Sequence, residues 1–442
     1  LRYEDFVIQI GSDRQGGYTA HVAQSPAGEG FSNFRLPYEK EEIGLMVNTL
    51  ARSLGASRSP TVAAFRDIDP MTGDQGILTP RQVGDSLFQA LFKDQVLSLY
   101  DRSLGRLEAQ KERGLRIKIK LDPNDASLAA LYDVPWEFLH RRSTQEFLAL
   151  SRMSPIVRYL EVPQSVTPLP LPMPLRILAV LSSPSGLEDL NLDVEKHNLK
   201  MAWTGQSRVE IHVLKKASLE AMRNALLDKA YHVLHFMGHG GFLRQEKKGV
   251  LYFEKNDGSP EPISGEHLAT QLRDFKSLRL VFFNACNTAC ASSDAGLNPF
   301  SGVATALVMS GLPAVLAMQL PISDKAAITF SRSFFRRLAL GDDVDTAVVE
   351  GRLAIKSKEE RTAEWGTPVL FVRVSDGRLF GDPVKPSSIP QAAPPKKNRF
   401  WMPSLTGLCI LGLVSLVWFN PRLRGATGQY MKTLQQKMFF VD

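Results

Sequence analysis

A thiol and an imidazole each stand just past an apolar run. Tyr231 to Gly241 reads YHVLHFMGHGG and ends in His239, and Leu280 to Ala289 reads LVFFNACNTA and contains Cys286. This pairing serves one chemistry well. A thiolate attacks a carbonyl carbon, while a nearby imidazole takes up the thiol proton and later protonates the leaving amine. Gly240 lets backbone N–H groups approach a substrate closely, and with the Cys286 N–H it would stabilise a developing oxyanion.

The surrounding pattern says how the two residues can meet. Valine, leucine and phenylalanine fill both runs without alternation, as in strands covered on both faces. In an open parallel sheet, side chains just past the carboxyl ends of neighbouring strands converge on one crevice. Other uses of these residues fit less well. His232, His235 and His239 lie close together, but the first two alternate across a strand and no carboxylate or thiol completes a metal set, so no metal and no cofactor are expected. His235 reads as a buried histidine hydrogen-bonded within the sheet. No Lys-Ser/Thr follows Gly238 to Gly241, which removes the phosphate-cradle reading. Cys290 reads as structural.

The elements that must position the pair follow from periodicity. Strands are predicted at 6–10, 18–23 and 33–36, and helices over 40–66 and 81–113. Leu115 to Leu121 alternates, with Ile117, Ile119 and Leu121 on one side, like a half-exposed strand. After five prolines between Pro163 and Pro174, strand runs recur at 175–181, 209–214, 232–237, 278–283, 312–318 and 369–372. Helical patterns at 219–230, 300–309 and 325–340 separate most of them, implying crossovers and a largely parallel α/β sheet with helices on both faces. Val250 to Phe253 with Asn256-Asp257-Gly258 predicts a hairpin between the histidine and cysteine strands, bordering the cleft.

Charge and cysteine usage narrow the setting. Of the net charge of +7, six units fall in residues 382–442, so the body is nearly neutral and gives no footprint for direct nucleic-acid binding. Inside that basic tail, Phe400 to Phe419 is a run of 20 residues without a charge, about 30 Å as a helix. Phe400 and Trp401 mark one end, Trp418 and Phe419 the other, with Lys396, Lys397 and Arg399 before and Arg422 and Arg424 after. A single-pass membrane helix is the expectation. Three basic residues before the run against two after it, three cysteines with no disulfide-like spacing and a charged, strand-like start at Leu1 to Phe6 make a cytoplasmic body the expectation. The organisation is thus 1–162, an N-terminal α+β region; 163–174, a Pro-rich linker; 175–382, the domain with His239 and Cys286; 383–399, a Pro/Lys-rich linker; 400–419, the membrane helix; and 420–442, a short basic tail.

Several strings together resemble the CHAT-domain branch of the caspase-like cysteine peptidases, which include metacaspases and separase. They are His235-Phe236-Met237-Gly238-His239-Gly240, Asn284-Ala285-Cys286, Gly311-Leu312-Pro313-Ala314-Val315, Pro321-Ile322-Ser323-Asp324 and Trp365-Gly366-Thr367-Pro368-Val369-Leu370. Ser25-Pro26-Ala27-Gly28-Glu29 and Pro135-Trp136-Glu137-Phe138-Leu139 extend the resemblance to about residues 1 to 382. It implies a caspase-like fold, a catalytically empty N-terminal half, and a cysteine endopeptidase acting on protein substrates, which the expected membrane helix would put near a bilayer. It also implies a substrate pocket lined by Asn284, Ser182 and Asp324, the last being either a pocket acid selecting Lys or Arg or the N-cap of the helix from Lys325. An activating partner or sensor and a role in bacterial defence or cell death come from the resemblance alone. The other reading is a catalytically silent, membrane-tethered signalling scaffold.

Overall fold

Eleven strands hydrogen-bond into one sheet in the computed structural model, which describes residues 2–13, 15–38, 42–43, 46–47, 49–50, 79–108, 110, 112–163, 166–171, 174–187, 193–194, 196–197, 199, 207–243, 245–246, 248–284, 299–320, 322–358 and 362–383. All belong to one compact unit, Leu1–Val384. The predicted membrane helix and the basic tail lie outside the described residues, as do Cys286, Cys290 and most of the helix expected over 40–66. Among the described residues no helix is long and apolar enough to cross a membrane.

In chain order the strands are β1 (Arg2–Ser12), β2 (Tyr18–Gln24), β3 (Gly30–Phe34), β4 (Arg113–Leu121), β5 (His140–Arg141), β6 (Glu146–Phe147), β7 (Ile156–Tyr159), β8 (Leu169–Leu171), β9 (Leu175–Leu181), β10 (Val209–Val213), β11 (Val233–Met237), β12 (Gly240–Leu243), β13 (Lys248–Glu254), β14 (Pro260–Ser264), β15 (Leu280–Asn284), β16 (Ala314–Met318), β17 (Pro368–Val372) and β18 (Phe380–Pro383). The helices are α1 (Pro80–Leu91), α2 (Asp94–Glu108), α3 (Leu219–Asp228), α4 (Gly265–Leu272), α5 (Pro299–Met309), α6 (Asp324–Ala339) and α7 (Val344–Lys358). The main sheet runs β10-β9-β11-β15-β16-β17-β7-β4-β1-β2-β3, parallel at every step except β16–β17, β1–β2 and β2–β3. It is a mixed α/β fold around a large, mostly parallel sheet.

The lack of alternation in the central runs has a direct cause. In β15, Leu280 and Phe282 enter one apolar core and Val281 and Phe283 enter the other, on the opposite face. Phe330, Phe334 and Phe335 of α6 cover the first face; Met222 of α3, Leu268 of α4 and Leu307 of α5 cover the second. Burying one such side chain fully is worth roughly 1.5–3 kcal/mol, so both faces select apolar residues. The N-terminal strands join the same sheet through β7, which pairs with both β4 and β17.

Two local differences from the sequence expectations have physical reasons. The helix expected over 81–113 is two helices, broken at Phe92 to Asp94, where Asp94 takes φ 46°. Its start is a capping box: Thr79 accepts from the Gln82 N–H, the Gln82 side chain accepts from the Thr79 N–H, and Pro80 sits where no N–H is needed. The second difference is in β4, expected half-exposed and found almost wholly buried. Its polar side is covered: the Arg116 Nε donates to Asp345 of α7, and its Nη2 donates to the Asp376 carbonyl at 2.8 Å. Lys118 Nζ meets Asp5 Oδ2 at 2.6 Å. Asp343 adds a third carboxylate, 3.6 Å from Arg116.

Burial, reinforced by the neighbouring Asp345 carboxylate, pushes the Asp343 carboxyl up to about 6. A raised carboxyl supports folding most below its unfolded value and loses that support as pH rises through about 6. Asp343→Asn is therefore expected to match wild type near pH 4 and to be about 1–3 kcal/mol more stable above pH 6 in denaturant titrations. Arg116→Met should instead cost about 3–5 kcal/mol, because it strands the buried Asp345 carboxylate.

Candidate active site

Four neighbouring parallel strands, β9, β11, β15 and β16, end on the same side of the sheet, and each delivers one segment of the site. They lead respectively into Ser182, into Gly238-His239, through Asn284 toward Cys286, and into Gln319 to Asp324. The register is explicit: Met237 pairs with Leu181 on one side and with Asn284 on the other. His239 follows Met237 by two residues, and in the sequence Cys286 follows Asn284 by two. Cys286 itself is outside the described residues. His239 is 1% exposed, and Asn284 is half-buried at the end of its strand.

His239 is held by an element that the sequence revealed only in part. The predicted hairpin is β13–β14, and β12 adds a third strand directly after His239, in the order β12-β13-β14. The Tyr252 N–H donates to the His239 carbonyl at 3.0 Å. Gly240 pairs with Leu251 one step further on, and antiparallel alternation turns its N–H away from β13. Close packing explains two of the glycines. A Cβ on Gly241 would lie 2.6 Å from the Tyr252 ring, and one on Gly238 would lie 2.8 Å from the Phe236 ring and 3.1 Å from the Ser182 Cβ.

The remaining predicted residues have these places. Ser182 is fully buried; its N–H donates to the Met237 carbonyl at 2.8 Å and its hydroxyl to the Tyr252 carbonyl at 2.7 Å. Asp324 is half-buried in the first turn of α6 but is not its cap. That position belongs to Ser323, whose hydroxyl accepts from the Ala326 N–H at 3.3 Å. Glu364, immediately before the Trp365-Gly366-Thr367-Pro368-Val369-Leu370 string, accepts from the Ser323 N–H at 2.5 Å and from its hydroxyl at 2.9 Å. Sequence reasoning missed Glu364. Its signal was a carboxylate next to tryptophan in an otherwise apolar string.

The two other histidines of the motif have separate surroundings. His232 Nδ1 accepts from the Arg176 N–H at 2.9 Å, and burial, with help from the Arg176 charge, lowers its pKa to about 4. His235 corrects an expectation. It is buried, but it stacks on Phe282 with ring centroids 4.5 Å apart and an interplanar angle of 10°, and neither ring nitrogen has a hydrogen-bond partner. Desolvation alone pushes it down to about 3.

Residues 84–401 match the CHAT domain. The chain belongs to the CHAT domain family. Among curated proteins, none matches it. Solved structures similar to this CHAT protein include the Arg-specific cysteine proteinase gingipain R, at TM-score 0.38 and 11% identity over 65% of this chain and 69% of that one. Separase from Saccharomyces cerevisiae, in complex with securin, aligns at TM-score 0.46 and 14% identity over 84% of this chain. The aligned part is 30% of the separase chain.

Because His235 folds neutral, its contribution to stability is present above its unfolded value near 6.5 and is lost as pH falls toward about 3. His235→Phe keeps the stack on Phe282 and removes two unpaired buried nitrogens. The variant should gain roughly 1–3 kcal/mol at pH 7. Its stability should also fall less steeply below pH 6.5, by about 1.4 kcal/mol per pH unit, in denaturant midpoints measured across that range.

Proposed function

We propose that this CHAT domain protein is a caspase-like cysteine endopeptidase in which Cys286 is the nucleophile and His239 the acid/base. The observation that carries the reading is the pairing of β11 with β15, with Met237 and Asn284 as register partners two residues before His239 and Cys286. His239 takes the thiol proton as the Cys286 sulfur attacks the scissile carbonyl. The oxyanion so formed is met by the N–H groups of Gly240 and Cys286. The protonated imidazole then gives its proton to the departing amine, leaving a thioester. Water, deprotonated by His239, releases the acid and restores the thiol.

Asn284, at the mouth of β15, and Asp324, at the start of α6, are proposed to face the side chain preceding the scissile bond. Asp324 would favour Lys or Arg there. The uncharged run 400–419 is proposed to tether the body to the cytoplasmic face of a membrane, which brings protein substrates at the bilayer within reach. A defence or cell-death role and an activating partner are proposals of the same standing. The burial of His239 favours one further reading, that the isolated chain rests as a closed, silent scaffold.

Full-length protein is expected to cleave protein substrates and to be labelled at Cys286 by thiol-directed peptide electrophiles. Cys286→Ala and His239→Ala should each lower kcat/KM by about 10³-fold or more. Full cleavage by Cys286→Ala would end the peptidase reading, and labelling without turnover on any protein substrate would leave the scaffold. Asp324→Ala should lose a preference for Lys or Arg at the cleaved position. Deleting 400–419 should move the protein from the membrane to the soluble fraction after cell lysis.

A further inference from the structure

We infer that Ser182 is the positioning residue for His239, acting through a closed ring of hydrogen bonds rather than by touching substrate. The inference rests on the proposed role of His239 and deepens it. The ring has three members. The Ser182 N–H donates to the Met237 carbonyl at 2.8 Å, extending the β9–β11 ladder one step past the strand ends. Its hydroxyl crosses to the hairpin and donates to the Tyr252 carbonyl at 2.7 Å. The Tyr252 N–H returns to the His239 carbonyl at 3.0 Å. Gly238, between Met237 and His239, closes the ring.

Three features favour positioning over substrate contact. Ser182 is 0% exposed, and its one hydroxyl proton is already committed to Tyr252. Its Cβ stands 3.1 Å from where a Cβ on Gly238 would lie, so the backbone carrying His239 is packed directly against it. The same loop is joined to the hairpin further out as well. The Ser183 N–H donates to Glu254 Oε1 at 2.9 Å, and the N–H and hydroxyl of Ser185 both reach the Gly258 carbonyl, at 2.9 and 3.1 Å. Of these bonds, only that of the Ser182 hydroxyl reaches Tyr252, the residue that holds the His239 carbonyl. Ser185 belongs to the outer end, which makes it the control.

The test compares full-length wild type, Ser182→Ala, Ser185→Ala and His239→Ala. Two readouts are taken: the pH profile of Cys286 alkylation by iodoacetamide, followed by peptide mass mapping, and peptidase kinetics. Because misplacement of a catalytic group by about 1 Å costs on the order of 100-fold, Ser182→Ala should lower kcat roughly 10- to 100-fold with KM within about twofold. Its alkylation profile should move toward that of His239→Ala, while Ser185→Ala stays with wild type. A tenfold rise in KM at unchanged kcat, or a wild-type alkylation profile in Ser182→Ala, overturns the inference while leaving the dyad in place. Should His239→Ala itself alkylate like wild type, the dyad reading fails and the inference with it. If Ser182→Ala does not fold, hydrogen exchange in the unmodified protein decides. The Tyr252 amide should exchange as slowly as the β11–β15 ladder, and fast exchange there overturns the ring.

Discussion

A carboxylate and a guanidinium, both withdrawn from water, tie the N-terminal region to the strands that carry the site. Glu137 is 0% exposed and receives Arg158 at two points, Nε at 3.2 Å and Nη2 at 2.8 Å. Arg158 belongs to β7, yet it lies over the ring of Phe371 in β17 and reaches Gln319, beyond the end of β16, with Nη2 at 3.0 Å from Oε1. The Val134 carbonyl, 3.0 Å from the same Nη2, shares one of its two protons, and the Tyr132 carbonyl accepts from Nη1. Such a pair is costly to bury and costlier to break, since either partner alone would be a charge in a low-dielectric core. What it provides is definition: Gln319 can be held only if β7, β17 and β16 lie in this order and register. Arg352 of α7 shares the region. Fully buried, with Nη2 on the Pro368 carbonyl at 2.7 Å, it is lowered to about 10 by desolvation, against which the Glu137 charge acts.

The short strings that mark the family converge on this junction. Trp136, Glu137 and Phe138 form one side, Gln319 follows β16, the strand that the glycine-proline string opens, and Trp365 to Pro368 form the other side. Phe138 and Trp365 rings sit 5.2 Å apart, and Gly366 lies under the Phe138 ring where a Cβ would collide. From there the constraint passes to the end of β16. Gln319 donates to the Asp133 carbonyl at 2.6 Å, and its own N–H donates to the Thr367 carbonyl at 3.0 Å. Glu364 fixes Ser323, so the segment leaving β16 is anchored at both ends. These residues therefore set where the end of β16 emerges.

What the sequence made legible divides along the same physical line. Buried parallel strands declare themselves, because a strand covered on both faces has no polar position; all six strand runs expected after the linker form, β11 and β15 among them, and the hairpin between those two was legible from its turn residues. The misreadings share one origin, a partner far away in sequence. Arg116 and Lys118 alternate with apolar residues as if toward solvent, but Asp5, Asp343 and Asp345, together with the Ser375 and Asp376 carbonyls, turn that face inward. His235 invited a hydrogen bond, and Phe282 supplied a stacking surface instead. Helix α7 was not anticipated: Val344, Val348, Gly351 and Ile355 are buried, but so are Asp345, Thr346 and Arg352, so no clean apolar stripe survives. β12 was hidden for another reason, since Gly240 and Gly241 carry no side chains to show a strand pattern.

Register, more than sequence separation, sets how the ends of β11 and β15 stand beside each other. His239 and Cys286 are 47 residues apart, and nearly all of that length is hairpin, α4 and connections whose lengths do not alter the ends of β11 and β15. The pairing of Met237 with Asn284 does alter them: a slip of one residue would turn every side chain of one strand to the other face. Such a slip is opposed at each step, because His235 and Phe282 stack as register partners while Phe236 and Phe283 meet edge to face on the opposite face. The aromatic packing of the core thus fixes the strand register, and the register sets Met237 level with Asn284 where the two strands end.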